Sequence, residues 1–182
     1  VTDDIEFVIR TAAVHDDNPE VHEAHRRGIP VFERTQAWGA LMRGYPNALC
    51  ISGTHGKTTT TSMCTHIMMA AEKDPTVMIG GTLPLLHACH RVGKGSTIIM
   101  ESCEYYNSFL SLNPTIAVIL NIEADHLDFF KDINDIKHSF RQFAERVPAE
   151  TGTVIANCDD ANTMDALRGI ARKVITFGLS PK

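Results

Sequence analysis

Gly53, Thr54, His55, Gly56, Lys57 and Thr58 stand in a row, and their types are those that hold a polyphosphate. Glycine lets a backbone turn sharply and come close to a ligand. The lysine contributes a full positive charge, and the threonine hydroxyl suits a magnesium ion. Residues 48–51 form a short apolar run, as a buried strand does. From Lys57 the sequence reads as a helix to about residue 71, with Met63, Ile67 and Ala70 on one face. Unpaired N–H groups at such a helix start attract an anion. The strict phosphate-loop pattern places a further glycine six residues ahead of its lysine, where this chain has Ile51. An ordinary strand-to-helix turn with an exposed lysine is the bland alternative. The strand before the loop, and the helix after it with Thr58 and Thr59 in its first turn, argue against that.

Two further positions could join the loop. Glu101 ends the apolar run 97–100, and His126 lies in Glu123-Ala124-Asp125-His126, just past the apolar run 115–120. In an open parallel sheet, ligands bind at the carboxyl ends of the strands, where all three segments would meet. A phosphate-bound magnesium prefers oxygen donors, so Thr58 and Glu101 suit it. His126 suits it less well, because imidazole favours softer metals. Taken alone, His126 reads as a loop residue, with Asp125 and Asp128 able to orient its ring. Glu104, Tyr105 and Tyr106 read as loop packing, and His87 and His90 as parts of a solvated loop without partner ligands. Met63, Met68, Met69 and Met78 read as core.

The elements that must position these residues alternate in type. Residues 5–9 read as a strand. Asn18 caps a helix with Pro19 in its first turn, and Gly28 ends it. Strand 29–32 and helix 35–43 follow. Strand, helix, strand, helix predicts a parallel sheet. Two strands do not make a stable sheet, so residues 1–45 read as the tail of a domain whose front is absent. Beyond the phosphate loop, strands are predicted at 76–79, 96–100, 115–120, 152–157 and 174–177, and helices at 133–147 and 159–170. The stretch 82–95 reads as a loop. The fold class is therefore α/β.

Composition narrows the class. Of 182 residues, 43% are apolar, enough for a packed core. There are 17 basic and 22 acidic side chains, a net charge of −5, so nothing in the composition favours nucleic-acid binding. The five cysteines are scattered without a CxxC pair, which points to reduced thiols and a cytoplasmic location. No apolar run approaches the length of a membrane span, so no membrane partner is expected.

Three segments together resemble the Mur ligase family: residues 53–60 around the loop, Glu101-Ser102-Cys103-Glu104, and the segment 121–128 from Asn121 to Asp128. Thr11-Ala12-Ala13, Asp17-Asn18-Pro19-Glu20 and Gly28-Ile29-Pro30-Val31 are similar to the end of that family's first domain. His55 inside the loop is similar to the branch that joins L-alanine to UDP-N-acetylmuramate. The resemblance covers nearly the whole chain. It implies that residues 1–45 are the C-terminal part of a Rossmann-like UDP-sugar domain, and that residues 46–182 are the N-terminal part of a P-loop-type central ATPase domain. A fragment with little or no ligase activity is therefore expected.

The implied reaction is ATP-dependent and ADP-forming, and it serves peptidoglycan synthesis. ATP phosphorylates the carboxylate of UDP-N-acetylmuramate, and the amine of L-alanine then displaces phosphate from the acyl phosphate. Cations must relieve the repulsion of anion by anion. The resemblance implies catalytic roles for Lys57, Glu101 and His126. It implies ATP contacts from Gly53, Thr54, His55, Gly56, Lys57, Thr58 and Thr59. Mg2+ would be held by Thr58, Glu101 and His126, the last serving a second ion. His55 would lie near the muramoyl substrate or γ-phosphate, and Thr11, Ala12 and Asn18 would border the UDP group. Some sister ligases carry a carbamylated lysine; here Lys137 is off the expected spacing, where Arg141 stands, so no modified lysine is assigned. The alternatives are a murein-peptide ligase, a folylpolyglutamate synthase-like amide ligase, a P-loop protein without ligase activity, and a non-catalytic module.

Overall fold

The computed structural model describes residues 1–11 and 13–179. The chain opens with a parallel pair, β1 (Val8–Arg10) and β2 (Val31–Glu33), in which Val8 lies opposite Val31. Helix α1 (Pro19–Arg26) joins them, and its cap is Asn18, whose side chain accepts from the N–H groups of Glu20 and Val21. Helix α2 (Arg34–Met42) follows, with a reciprocal capping box between Glu33 and Gln36. The first strand begins later than residues 5–9 predict, at Val8. Its apolar neighbours Phe7, Ile9 and Phe32 are exposed.

The other strands form one sheet. In chain order they are β3 (Asn47–Ser52), β4 (Thr76–Leu83), β5 (Ala88–Arg91), β6 (Thr97–Glu101), β7 (Ile116–Ile119), β8 (Thr153–Asn157) and β9 (Lys173–Phe177). Their order across the sheet is β5-β4-β6-β3-β7-β8-β9, parallel except where β5 runs antiparallel to β4. The chain lays β6 on one side of β3 and β7 on the other. The carboxyl end of β3 is thus the switch point, where a crevice opens in such sheets.

Both faces of the central strands β3, β6 and β7 are covered, which is why these are near-continuous apolar runs, while the edge strand β9 is exposed along its length. The period of two divides their side chains. Ala48, Cys50, Ile98, Met100, Ala117 and Ile119 face the core under α4 (Ile133–Glu145) and α5 (Ala161–Ala166). Ile51, Ile99 and Val118 face the other way, toward Cys64 and Met68 of α3 (Lys57–Ala70). Helix α4 is capped by Asp132 and turns Ile136, Phe140, Phe143 and Ala144 inward. Phe109 stacks on Phe143 at 4.6 Å and meets Phe140 edge-on at 5.3 Å. Each such pair adds roughly 0.5–1.5 kcal/mol beyond the area it buries. Met42 of α2 belongs to the same core, Trp38 packs against it, and α2 lies against the turn segment 105–111, where Gly39 approaches Ser111 and accepts from Asn113.

Two expectations are corrected. The stretch 82–95 is not simply a loop: β4 runs on through Gly80 and Gly81 to Leu83, and β5 returns beside it. Glycines interrupt the apolar pattern there, so the alternation that marks a strand is lost from the sequence. Met63, read as core, is also exposed, and so is Ile67 on the same helix face. The buried side of α3 is Thr61 and Thr65, whose hydroxyls donate to the carbonyls of Lys57 and Thr61, both at 2.8 Å. With the hydroxyl satisfied one turn back, only the methyl faces the sheet, and the helix can lie close to it.

Candidate active site

The register of the strands brings the chemistry to one edge. Ile51 lies opposite Glu101 and Ser52 opposite Ile119, so the ends of β3, β6 and β7 are level. The phosphate-loop candidate leaves β3 there. Gly53 has φ +140° and Gly56 φ +82°, both in the region that disfavours a side chain. A Cβ on Gly53 would also lie 3.0 Å from Leu120 Cβ. Asn121 braces the loop: its side chain accepts from His55 N–H at 2.8 Å and donates to His55 O at 3.1 Å. Thr54 Oγ1 accepts from Glu123 N–H at 2.8 Å. The loop and the segment after β7 are therefore one hydrogen-bonded unit.

Helix α3 starts at Lys57 with Gly56 as its cap and no side-chain cap. The positive end of its dipole thus faces the loop without a capping carboxylate. Thr58 Oγ1 donates to Glu101 Oε1 at 2.9 Å, and Glu101 Oε2 accepts from Gly80 N–H at 2.6 Å. A hydroxyl and a carboxylate side by side suit a hard cation. Thr59 is exposed on the same first turn, and the His55 ring is exposed, 3.6 Å from Glu123.

His126 belongs to a second group. Its Nε2 lies 4.0 Å from Glu104 Oε1 and 3.9 Å from Asp125 Oδ2. Its ring stacks on Tyr105 at 4.3 Å, and the Tyr105 hydroxyl donates to Asp128. That carboxylate holds the hydroxyl protonated well above its usual range. Asp128 therefore acts on the Tyr105 platform, while Asp125 faces the imidazole itself. Tyr106, Asn107 and His126 all have positive φ, between 51° and 55°. For residues other than glycine this costs roughly 1–3 kcal/mol each, and such positions cluster at functional sites.

Glu104 joins the two groups. The sequence reads it as loop packing; in the fold it is 2% exposed and lies 3.0 Å from Lys57 Nζ. A second carboxylate three residues after Glu101 is the only signal that could have flagged it. The structure brings together Lys57, Thr58, Glu101, Glu104 and His126 at the carboxyl edge. Among the described residues, no group of three or more His, Cys, Asp or Glu side chains is arranged to hold a metal by itself. A cation here would need oxygens from its ligand, as a phosphate-bound magnesium has.

A cleft of about 500 Å³ runs from this edge to the first segment, with His15, Arg34, Trp38, Gly80, Glu101 and Tyr105 in its walls. Thr11 and Asn18 are not in those walls, and the Asn18 side chain is engaged as the α1 cap. Ala12 lies outside the described residues. Lys137 pairs with Asp165 at 3.1 Å, and Arg141 donates to the carbonyls of Ala166 and Arg168, away from the loop. No helix among the described residues is long and apolar enough to cross a membrane.

Comparison with known proteins gives these features a context. Residues 51–182 match the Mur ligase middle domain, and residues 2–46 match the Mur ligase family catalytic domain. The chain is 49% identical over 181 residues to a UDP-N-acetylmuramate–L-alanine ligase of Lachnospira eligens, covering all of this chain and 39% of that protein. It therefore spans about two-fifths of the length of such relatives. The solved UDP-N-acetylmuramate–alanine ligase of Thermotoga maritima superposes with a TM-score of 0.81 at 28% identity, over 97% of this chain and 39% of that one. A UDP-N-acetylmuramate:L-alanyl-γ-D-glutamyl-meso-diaminopimelate ligase of Neisseria meningitides gives 0.81 at 25% identity, over 93% of this chain and 58% of that one. A mostly parallel sheet with a loop, a carboxylate and an imidazole at its switch point, matched along its length by these sequences, places the chain in the Mur ligase family.

Proposed function

We propose that this chain is the nucleotide-activating part of a UDP-N-acetylmuramate–L-alanine ligase acting in peptidoglycan synthesis. In this reading residues 1–45 close the UDP-sugar domain and residues 46–182 open a P-loop-type ATPase domain. One observation carries it: Thr58, at the start of an uncapped helix, donates to Glu101 at 2.9 Å on the edge where Lys57 also stands. The identity to relatives of that name supplies the substrates, UDP-N-acetylmuramate and L-alanine. The five cysteines are free, in keeping with a cytoplasmic enzyme.

The site fits ATP and Mg2+ on its own chemistry. Positive φ at Gly53 and Gly56 curls the loop around the helix start, and the oxygens of Thr58 and Glu101 adjoin it. Bound ATP with Mg2+ supplies the phosphoryl group that turns an unreactive carboxylate into an acyl phosphate. The protein's part is to let two anions approach. Lys57 and the first N–H groups of α3 bind and neutralise phosphate oxygens. Gly53, Thr54, His55, Gly56 and Thr59 shape that cradle. Thr58 and Glu101 hold one metal ion, with Glu101 oriented by the Gly80 N–H. His126, stacked on Tyr105, would hold a second. His55 faces the muramoyl end, and Thr11 and Asn18 border the UDP end.

The test uses the full-length protein with ATP, Mg2+ and UDP-N-acetylmuramate. Release of ADP that depends on L-alanine supports the reading. The Neisseria structure superposes equally well, so a murein-peptide ligase is the competing outcome. Release that depends on L-alanyl-γ-D-glutamyl-meso-diaminopimelate and not on L-alanine would refute the alanine-adding activity.

A further inference from the structure

Lys57 is held back in this loop. Its ammonium donates to Gly53 O at 2.6 Å, Thr54 O at 3.2 Å and both Glu104 oxygens at 3.0 and 3.3 Å. Glu104 is the one anion among these acceptors. A carboxylate 2% exposed is rare unless it is paired, because desolvating a lone charge is costly. Its other neighbour is the His126 imidazole at 4.0 Å. An incoming phosphate would need the same ammonium that Glu104 now holds.

We propose that Glu104 is a positioning residue: it latches Lys57 against the loop, competes with polyphosphate for that ammonium, and faces His126 so that one buried carboxylate sets both groups. This rests on the nucleotide-site reading above. The latch has two opposed consequences. Its charge opposes the binding of an anion, so nucleotide binds less tightly than an unlatched lysine would allow. Its fixed place keeps the ammonium and the imidazole aimed, so turnover is faster than with a free lysine. A residue that merely filled space would produce neither effect.

The experiment titrates the full-length protein with ATP in the presence of a chelator, by calorimetry, and measures turnover with Mg2+ separately. Glu104→Gln keeps the shape and removes the charge. Metal-free ATP is then expected to bind about ten-fold tighter, the effect of removing one unit charge about 6 Å away at an effective dielectric near 40. Turnover is expected to fall at least about ten-fold. Should Glu104→Gln fail to fold, Glu104→Asp withdraws the carboxylate by one methylene, and the same two changes are expected at smaller size. Lys57→Gln separates the two claims. If it leaves ATP affinity unchanged, the nucleotide-site reading is wrong. If it weakens ATP while the Glu104 variants bind ATP no tighter than wild type, or turn over at the wild-type rate, the latch is refuted.

Discussion

Gly80 offers the sharpest test of how the proposed metal site is held. Its N–H donates to Glu101 Oε2 at 2.6 Å, and there is no room beside that bond. A Cβ on Gly80 would lie 2.5 Å from Glu101 Oε1 and 2.9 Å from Glu101 Cδ. Ordinary carbon contacts need roughly 3.5 Å, so Gly80→Ala must push the carboxylate about 1 Å away. The obstructing atoms are the far end of a flexible side chain, and Gly80 is exposed without a positive φ, so the backbone accepts alanine. Stability should hold or rise by up to about 1 kcal/mol, because alanine restricts the unfolded chain. Function should not hold: a 1 Å misplacement of a catalytic group can cost about 100-fold, or about 2.7 kcal/mol of transition-state stabilisation. The assay is Mg2+-dependent ATP binding and turnover of the full-length protein, with thermal unfolding alongside. Gly81→Ala is the control, since its Cβ would meet only Thr58 Cγ2 at an ordinary 3.7 Å and turnover should stay near wild type. A folded Gly80→Ala protein that keeps affinity and turnover within about two-fold of wild type refutes the claim that Glu101 works from this one position.

Two other outcomes concern the core. Thr163 Oγ1 is the buried side-chain polar atom without a hydrogen-bond partner among the described residues. Thr163→Val removes that hydroxyl at nearly constant shape and should stabilise by about 1 kcal/mol in urea unfolding; a lower midpoint would contradict the assignment. Burial pushes the Cys50 thiol up from 9.0 to about 12, so iodoacetamide at pH 8 should spare Cys50 in the folded protein and label it after unfolding. The sign with pH follows: between pH 9 and 12 the unfolded chain gives up a proton that the fold keeps, so this thiol's contribution to stability falls as pH rises.

Much of this molecule is decided locally, and that part is readable from residue order. The Asn18 cap, the apolar runs of β3 and β6, and the four-residue recurrence of Ile136 and Phe140 each depend on neighbours a few positions away. The phosphate-loop candidate is local too, since its glycines and the helix start lie within a single turn. The other part depends on what the chain meets far along its length. Glu104 looks like a loop residue until β6 and β3 pair in register and bring it to Lys57, 47 positions earlier. Thr61 and Thr65 look polar, and Met63 looks like core, until α3 settles on the sheet by its threonine side. The return strand after Gly80 and Gly81 has no alternation of its own and is a strand because β4 offers it an edge. Short-range propensity and capping are properties of a segment. Burial and charge pairing are properties of a place, and a place exists only once the sheet has formed.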